Sequence, residues 1–138
     1  MAASETGRLI VLSNRLPVTV RREDGVLSAE PSSGGLVSAM DPAMRQRGGV
    51  WIGWPGTELM EGEELDVTGS PYKMTAVSLS ERETEHFYDG YSNGTLWPLF
   101  HSLPERMKLD RDNLPVYRSV NERFARAAVE EMEDGDLL

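Results

Sequence analysis

An α/β fold on a parallel sheet, with a β-hairpin inserted early, is predicted by three features of the sequence. Leu9-Ile10-Val11-Leu12 is a short unbroken apolar run, β-branched in part, as expected of a strand buried on both faces of a parallel sheet. Val50-Trp51-Ile52 is a second such run, separated by Gly48-Gly49 from a segment with helical spacing. Further on, Asn121 to Met132 places Phe124, Ala125, Ala128, Val129 and Met132 on one face of an amphipathic helix. Strand, loop and helix alternating in this way pack as α/β layers.

The elements follow in order. Val18-Thr19-Val20 and Val26-Leu27-Ser28 flank Arg21-Arg22-Glu23-Asp24-Gly25, which predicts a hairpin turning near Asp24-Gly25. Pro31 to Gly35 reads as loop, after which Leu36, Val37, Met40 and Met44 recur at helical spacing. Pro42 either kinks that helix or opens a second short one capped by Asp41. Glu58 to Ser70 is acidic and bears glycine, so it is expected as an exposed loop, and Met74 to Leu79 as a strand. Ser80 and Glu83 form a capping box that starts a helix toward Tyr88. Leu96 to Phe100 is expected to be helical around Pro98, and Asp134-Gly135-Asp136 to end the last helix. Leu137-Leu138 then opens a new apolar run, so one further strand is expected to be cut off.

Composition narrows the function. The chain has 138 residues, enough for one domain, with 39% hydrophobic and 27% charged residues and a net charge of −9. That balance argues against nucleic acid and anionic membranes as partners but not against an anionic small ligand, which one well-placed Arg can hold. There is no cysteine, which removes disulfides, thiolate metal sites and cysteine nucleophiles. Residues 1–7 carry neither a basic nor an apolar leader region and are expected to be a flexible N-terminus. No apolar run approaches membrane-spanning length, and a cytoplasmic location is expected.

Several residues could do chemistry. The stretch Phe87 to His101 holds five aromatic residues, a His, an Asn and two Gly, too polar for a core element. Rings of this kind cover the C–H faces of a sugar, while hydroxyl, amide and indole groups reach its hydroxyls. Arg15 follows the first strand, where ligands of open α/β sheets gather; it either clasps a phosphate or sits in a surface salt bridge. Gly34-Gly35 opens a helix, as a site for a diphosphate or as a plain tight turn. Trp54, between Gly53 and Pro55-Gly56, is expected to expose its ring in a turn; Trp51 can be core. For Tyr88 and Trp97 individually, core packing with a satisfied polar tip is the competing reading. His86 and His101 lack partners at metal-ligand spacing, so no metal site is read, no cofactor is implied, and the catalytic residues stay unknown.

Five segments in order carry a resemblance: Leu12-Ser13-Asn14-Arg15-Leu16-Pro17, Ser33-Gly34-Gly35-Leu36, Trp51 to Gly56, Tyr88 to His101, and Tyr117 to Ala125. Together they resemble the N-terminal part of trehalose-6-phosphate synthases, retaining glucosyltransferases of the two-lobed GT-B type. The resemblance implies an incomplete Rossmann-like N-terminal, acceptor-binding lobe over residues 8–138, with the C-terminal donor lobe absent. It implies transfer of glucose from UDP-glucose to glucose 6-phosphate in trehalose biosynthesis. Arg15, Trp54, Tyr88 and Trp97 would bind glucose 6-phosphate, and Gly34 and Gly35 would form the loop over the UDP-glucose diphosphate. The family's His-Asp-Tyr-His strand and the second lobe are missing, so the chain alone is expected to be inactive. A non-catalytic sugar-phosphate-binding or regulatory module, or a synthase with another acceptor such as glycerol 3-phosphate, are the alternatives.

Overall fold

The computed structural model describes residues 7–138, so the expected flexible segment, 1–7, lies outside the described residues except for Gly7. The elements are β1 (Leu9–Arg15), β2 (Val18–Glu23), β3 (Val26–Pro31), α1 (Gly35–Arg47), β4 (Gly49–Trp54) and β5 (Lys73–Ala76). They continue with α2 (Glu81–Thr84), a π-helix (Glu85–Leu96), α3 (Trp97–Phe100), a short 3-10 turn (Pro104–Arg106) and α4 (Asn113–Glu131). They form two compact units, one running to Ser78 and including Arg126–Leu138, the other Leu79–Ala125.

In the first unit, β1, β4 and β5 make a parallel sheet in the order β1-β4-β5. On the other side of β1, Leu137 forms a parallel bridge with Leu9, its amide donating to the Arg8 carbonyl at 2.9 Å and its carbonyl accepting from Ile10 at 2.8 Å. The chain therefore winds outward from β1 through β4 to β5 and then returns to the opposite side of β1. That reversal is the switch point at which open α/β sheets leave a crevice beyond their carboxyl ends. The strand buried on both faces is β4, through Val50, Trp51, Ile52 and Gly53; in β1 only Ile10 is fully buried. The expectation for β1 is corrected here: its side chains are only partly covered apart from Ile10, whereas those of β4 are buried on both faces.

The hairpin forms as predicted, β2 and β3 pairing from Val18↔Pro31 to Glu23↔Val26. Asp24 and Gly25, at φ 48° and 80°, make the two-residue turn whose twist matches the strands it joins. Helix α1 runs unbroken through Pro42. Pro42 and Ser38 are both exposed, so water can take the Ser38 carbonyl that the ring leaves without an amide. Asp41 caps nothing; it accepts from Arg45 Nε at 2.6 Å and from the Tyr72 hydroxyl at 2.8 Å.

The core gathers Leu16, Val18, Val20, Met44, Trp51 and Tyr72. Trp51 stacks on Tyr72, ring centroids 6.1 Å apart, and its indole N–H donates to Ser13 Oγ at 2.8 Å. Burial pushes the Tyr72 phenol up to about 12, helped by its bond to the Asp41 carboxylate. A phenol that stays neutral longer when folded contributes stability below the ordinary value of 10 that is lost as pH rises toward 12. The loop from Glu58 to Ser70 is pinned by Arg22, whose Nη1 and Nη2 reach the two Glu63 carboxylate oxygens at 2.7 and 2.5 Å. Those bonds hold Glu63 down at about 2, so its contribution is complete above 4.5 and lost as pH falls through about 2. Urea midpoints measured across pH are expected to fall at both ends; a flat profile between pH 10 and 12 would contradict the Tyr72 assignment.

In the second unit, the capping box is present, with Ser80 Oγ accepting from the Glu83 amide and the Glu83 carboxylate from the Ser80 amide. A continuous helical run then extends from Glu81 to Phe100, but its middle twelve residues form a π-helix. Phe87 is its buried anchor, stacked on Tyr117 at 5.4 Å and on Phe124 at 6.4 Å. Helix α4 starts at Asn113, well before the expected Asn121. Its buried positions are Asn113, Val120, Phe124 and Ala128, whereas Ala125, Val129 and Met132 are exposed. Phe124 and Ala128 of the expected stripe are buried, whereas Ala125 and Val129, each one position and about 100° further round, fall on the exposed side, and Met132 lies beyond the helix. Among the described residues no helix is long and apolar enough to cross a membrane.

Candidate functional site

Each unit carries part of the predicted residue set. In the first, Arg15 is the last residue of β1 and pairs in register with Trp54, the last residue of β4, across an irregularity that begins after Leu12. That irregularity brings the Arg15 guanidinium over the Trp54 ring, with Cζ 4.9 Å from the centroid, inside cation–π range. Nη2 also donates to Thr19 Oγ1 at 3.1 Å, and Thr19 in turn shares a 2.8 Å hydrogen bond with Ser32. Gly56 lets this happen: at φ +94° its missing Cβ would stand 3.0 Å from Nη2.

Arg8, Arg22, Arg45 and Arg123 all have carboxylate partners. Arg15 has no ion pair among the described residues, although the chain carries a net charge of −9. It rests on an indole face and a hydroxyl and is exposed, and its fork has donors beyond the one that Thr19 takes. The salt-bridge reading is thereby removed.

Gly34 and Gly35 stand at the start of α1, a helix of 13 residues. Gly34 is extended at φ 167°, and a Cβ at either glycine would meet nothing within 4 Å. Neither backbone conformation nor a protein neighbour therefore requires glycine at these positions. The helix start also has no side-chain cap and no acid in its first turn, so its free amides stay open to an external anion.

Trp54 is not the exposed ring the sequence predicts; it is half-buried at the end of β4, under Arg15. Its Nε1 is buried without a hydrogen-bond partner, as is Asn14 Oδ1. Trp51 is core.

In the second unit, Tyr88 and Trp97 both lie exposed, at 40% and 50%. Trp97 stacks on His101 at 3.9 Å, and His101 Nδ1 lies 2.7 Å from the Trp97 carbonyl oxygen. An indole left half in water against only one imidazole has a free face, which suits a ligand better than a core. The core-packing reading fails for both residues. Sequence reasoning missed Thr19, which only the hairpin brings under Arg15, and Asn113, whose buried amide no local signal marks.

The sequence model of glycosyltransferase family 20 matches residues 7–138. The chain is 40% identical over 140 residues to the UDP-forming alpha,alpha-trehalose-phosphate synthase of Schizosaccharomyces pombe, covering 99% of this chain and 27% of that protein. It superposes with a TM-score of 0.74 and 32% identity on the crystal structure of the Burkholderia vietnamiensis UDP-forming synthase, over 95% of this chain and 26% of that one. For the Burkholderia xenovorans enzyme in complex with glucose-6-phosphate the TM-score is 0.71 and the identity 31%, over 95% and 27%. The fold is accordingly a partial Rossmann-like lobe of the GT-B kind, and the chain spans about a quarter of the length of the relatives it matches. With the match running over every described residue, the chain belongs to glycosyltransferase family 20.

Proposed function

We propose that this chain is the acceptor-binding part of a retaining glucosyltransferase that moves glucose from UDP-glucose to glucose 6-phosphate, in trehalose biosynthesis. The observation that carries the reading is Arg15, an unneutralised guanidinium braced by Trp54 and Thr19 at the carboxyl end of β1. Its remaining donors match the spacing of phosphate oxygens, so it fixes the 6-phosphate. Tyr88 and Trp97 supply exposed ring faces and polar tips for the hexose, and Trp54, its Nε1 buried, meets the acceptor beside the guanidinium it supports. Fixing the phosphate and covering the ring orients the acceptor hydroxyl, which converts transfer into a step within one complex.

Gly34 and Gly35 open the amides of α1 to the donor diphosphate, whose negative charge grows as UDP departs. The Schizosaccharomyces pombe and Burkholderia vietnamiensis relatives are UDP-forming synthases, and one solved relative is in complex with glucose-6-phosphate, which supports both substrates. Residues 8–138 then form part of an N-terminal lobe, and a second lobe supplies the rest of the donor site. No side chain of this chain is assigned as nucleophile or base. The enzyme works in the cytoplasm.

UDP release measured with UDP-glucose and glucose 6-phosphate tests this. The full-length protein is expected to release UDP only when the acceptor is present, and residues 1–138 alone to release none. A full-length protein that transfers to glycerol 3-phosphate and ignores glucose 6-phosphate would overturn the acceptor. One that binds glucose 6-phosphate without transfer would make this a sugar-phosphate-binding module.

A further inference from the structure

Tyr88 and Trp97 are nine residues apart, a spacing that an α-helix cannot use. At 3.6 residues per turn, nine residues make about two and a half turns and point the two rings to opposite sides. An i→i+5 helix has about 4.4 residues per turn, so the same nine residues complete about two turns and return to the starting face. Every step from Tyr88 to Leu96 lies in the π-helix Glu85–Leu96. Its wide pairing is explicit at the end, where the Trp97 amide donates to the Ser92 carbonyl, five residues back. Tyr88, Asn93 and Trp97 are all exposed, at intervals of five and four residues.

Helices of this kind are rare and disfavoured, so something must hold one open over twelve residues. At its middle, the Asn113 carboxamide, almost wholly buried, sits where a side chain of Gly90 would be; a Cβ there would lie 2.7 Å from both Oδ1 and Nδ2. The same Oδ1 is 2.7 Å from His86 Nδ1. At the C-terminal end, Pro98 cannot donate to the Gly94 carbonyl as an α-helix would require, and its ring would crowd that oxygen. The Gly94 carbonyl instead accepts from the Lys108 amide at 2.7 Å, and Thr95 Oγ1 donates to the Lys108 carbonyl at 2.6 Å.

We infer that Asn113 is a positioning residue: seated on Gly90 and bonded to His86, it keeps this segment wide and so brings Tyr88 and Trp97 onto one face. The inference rests on the proposal that these two rings meet one sugar. Removing the wedge lets the first half of the segment relax toward α pairing and rotates Tyr88 away from Trp97. Neither Asn113 nor Gly90 touches the acceptor in this account.

The test uses the full-length protein with Asn113→Ala, Asn113→Asp and Gly90→Ala. Crystal structures of the variants report the helix pairing, and kinetics report the two substrates separately. Asn113→Ala and Gly90→Ala are expected to lose the i→i+5 pairing and to raise KM for glucose 6-phosphate about tenfold or more. KM for UDP-glucose is expected to stay within about twofold, and Asn113→Asp, which keeps an oxygen for His86, to restore the acceptor KM to within about threefold. Variants that retain the π-helix, or that lose it without a change in acceptor KM, overturn the positioning role. Should the unsubstituted protein ignore glucose 6-phosphate, the acceptor proposal falls, while the pairing seen in Gly90→Ala still decides whether Asn113 holds the helix.

Discussion

Trp51→Ala is expected to cost about 3–5 kcal/mol, the range for deleting a large aromatic from a well-packed core. Trp51 is fully buried in the central strand β4 and packs within the cluster of Leu16, Val18, Val20, Met44 and Tyr72. The truncation opens a cavity, unstacks Tyr72 and leaves Ser13 Oγ without the indole donor. Against a total stability of about 5–15 kcal/mol for a domain, that loss is enough to bring much of the population to the edge of unfolding. Urea unfolding followed by circular dichroism measures it. Trp51→Phe, which keeps a ring but drops the N–H, is expected to cost far less. A loss below about 1 kcal/mol in Trp51→Ala would mean that the core around β4 is not packed as described.

The second large effect belongs to Arg15. Charge-assisted hydrogen bonds are each worth about 1.5–3 kcal/mol, so losing a two-pronged clasp on phosphate removes about 3 kcal/mol or more. In the full-length protein, Arg15→Ala is expected to raise KM for glucose 6-phosphate by about 100-fold or more, since 1.4 kcal/mol is tenfold. Arg15→Lys keeps the charge but loses the planar fork and its seat on Trp54, so it is expected to recover only part of that loss. Unphosphorylated glucose, a poor acceptor in this scheme, is expected to be used equally by all three proteins. Fluorescence titration with inorganic phosphate gives an independent reading. An acceptor KM unchanged in Arg15→Ala would remove the phosphate role.

Much of the fold was legible because local chemistry specified it. Asp24-Gly25 is the sequence of a two-residue hairpin turn, and Ser80 with Glu83 satisfies the first amides of a helix whatever lies elsewhere. The π-helix was not legible, because what holds it open includes Lys108 and Asn113, residues outside the segment itself. A hydrophobic pattern read at 3.6 residues per turn has no place for a segment with a wider repeat. The start of α4 lies eight residues before the expected Asn121, and Pro115 sits in its first turn, where proline is tolerated because amides there have no partner. At the site, Arg15, Trp54, Gly34 and Gly35 stand out in the sequence by residue type and by their place after a strand or before a helix. Their support was not: the brace from Thr19 depends on the hairpin, and the Trp54 contact on the slipped register of β1.

The bridge between Leu9 and Leu137, with Arg8 clasping Asp136 through Nε at 3.0 Å and Nη2 at 2.7 Å, joins residues 128 positions apart. Contacts of such long range form slowly, because most of the chain must be ordered before they are rewarded. During synthesis on the ribosome, one side of β1 stays unpaired until residue 137 has cleared the exit tunnel. At about 5–20 residues per second, the 128 intervening residues keep that edge of the first-made strand open for about 6–26 seconds.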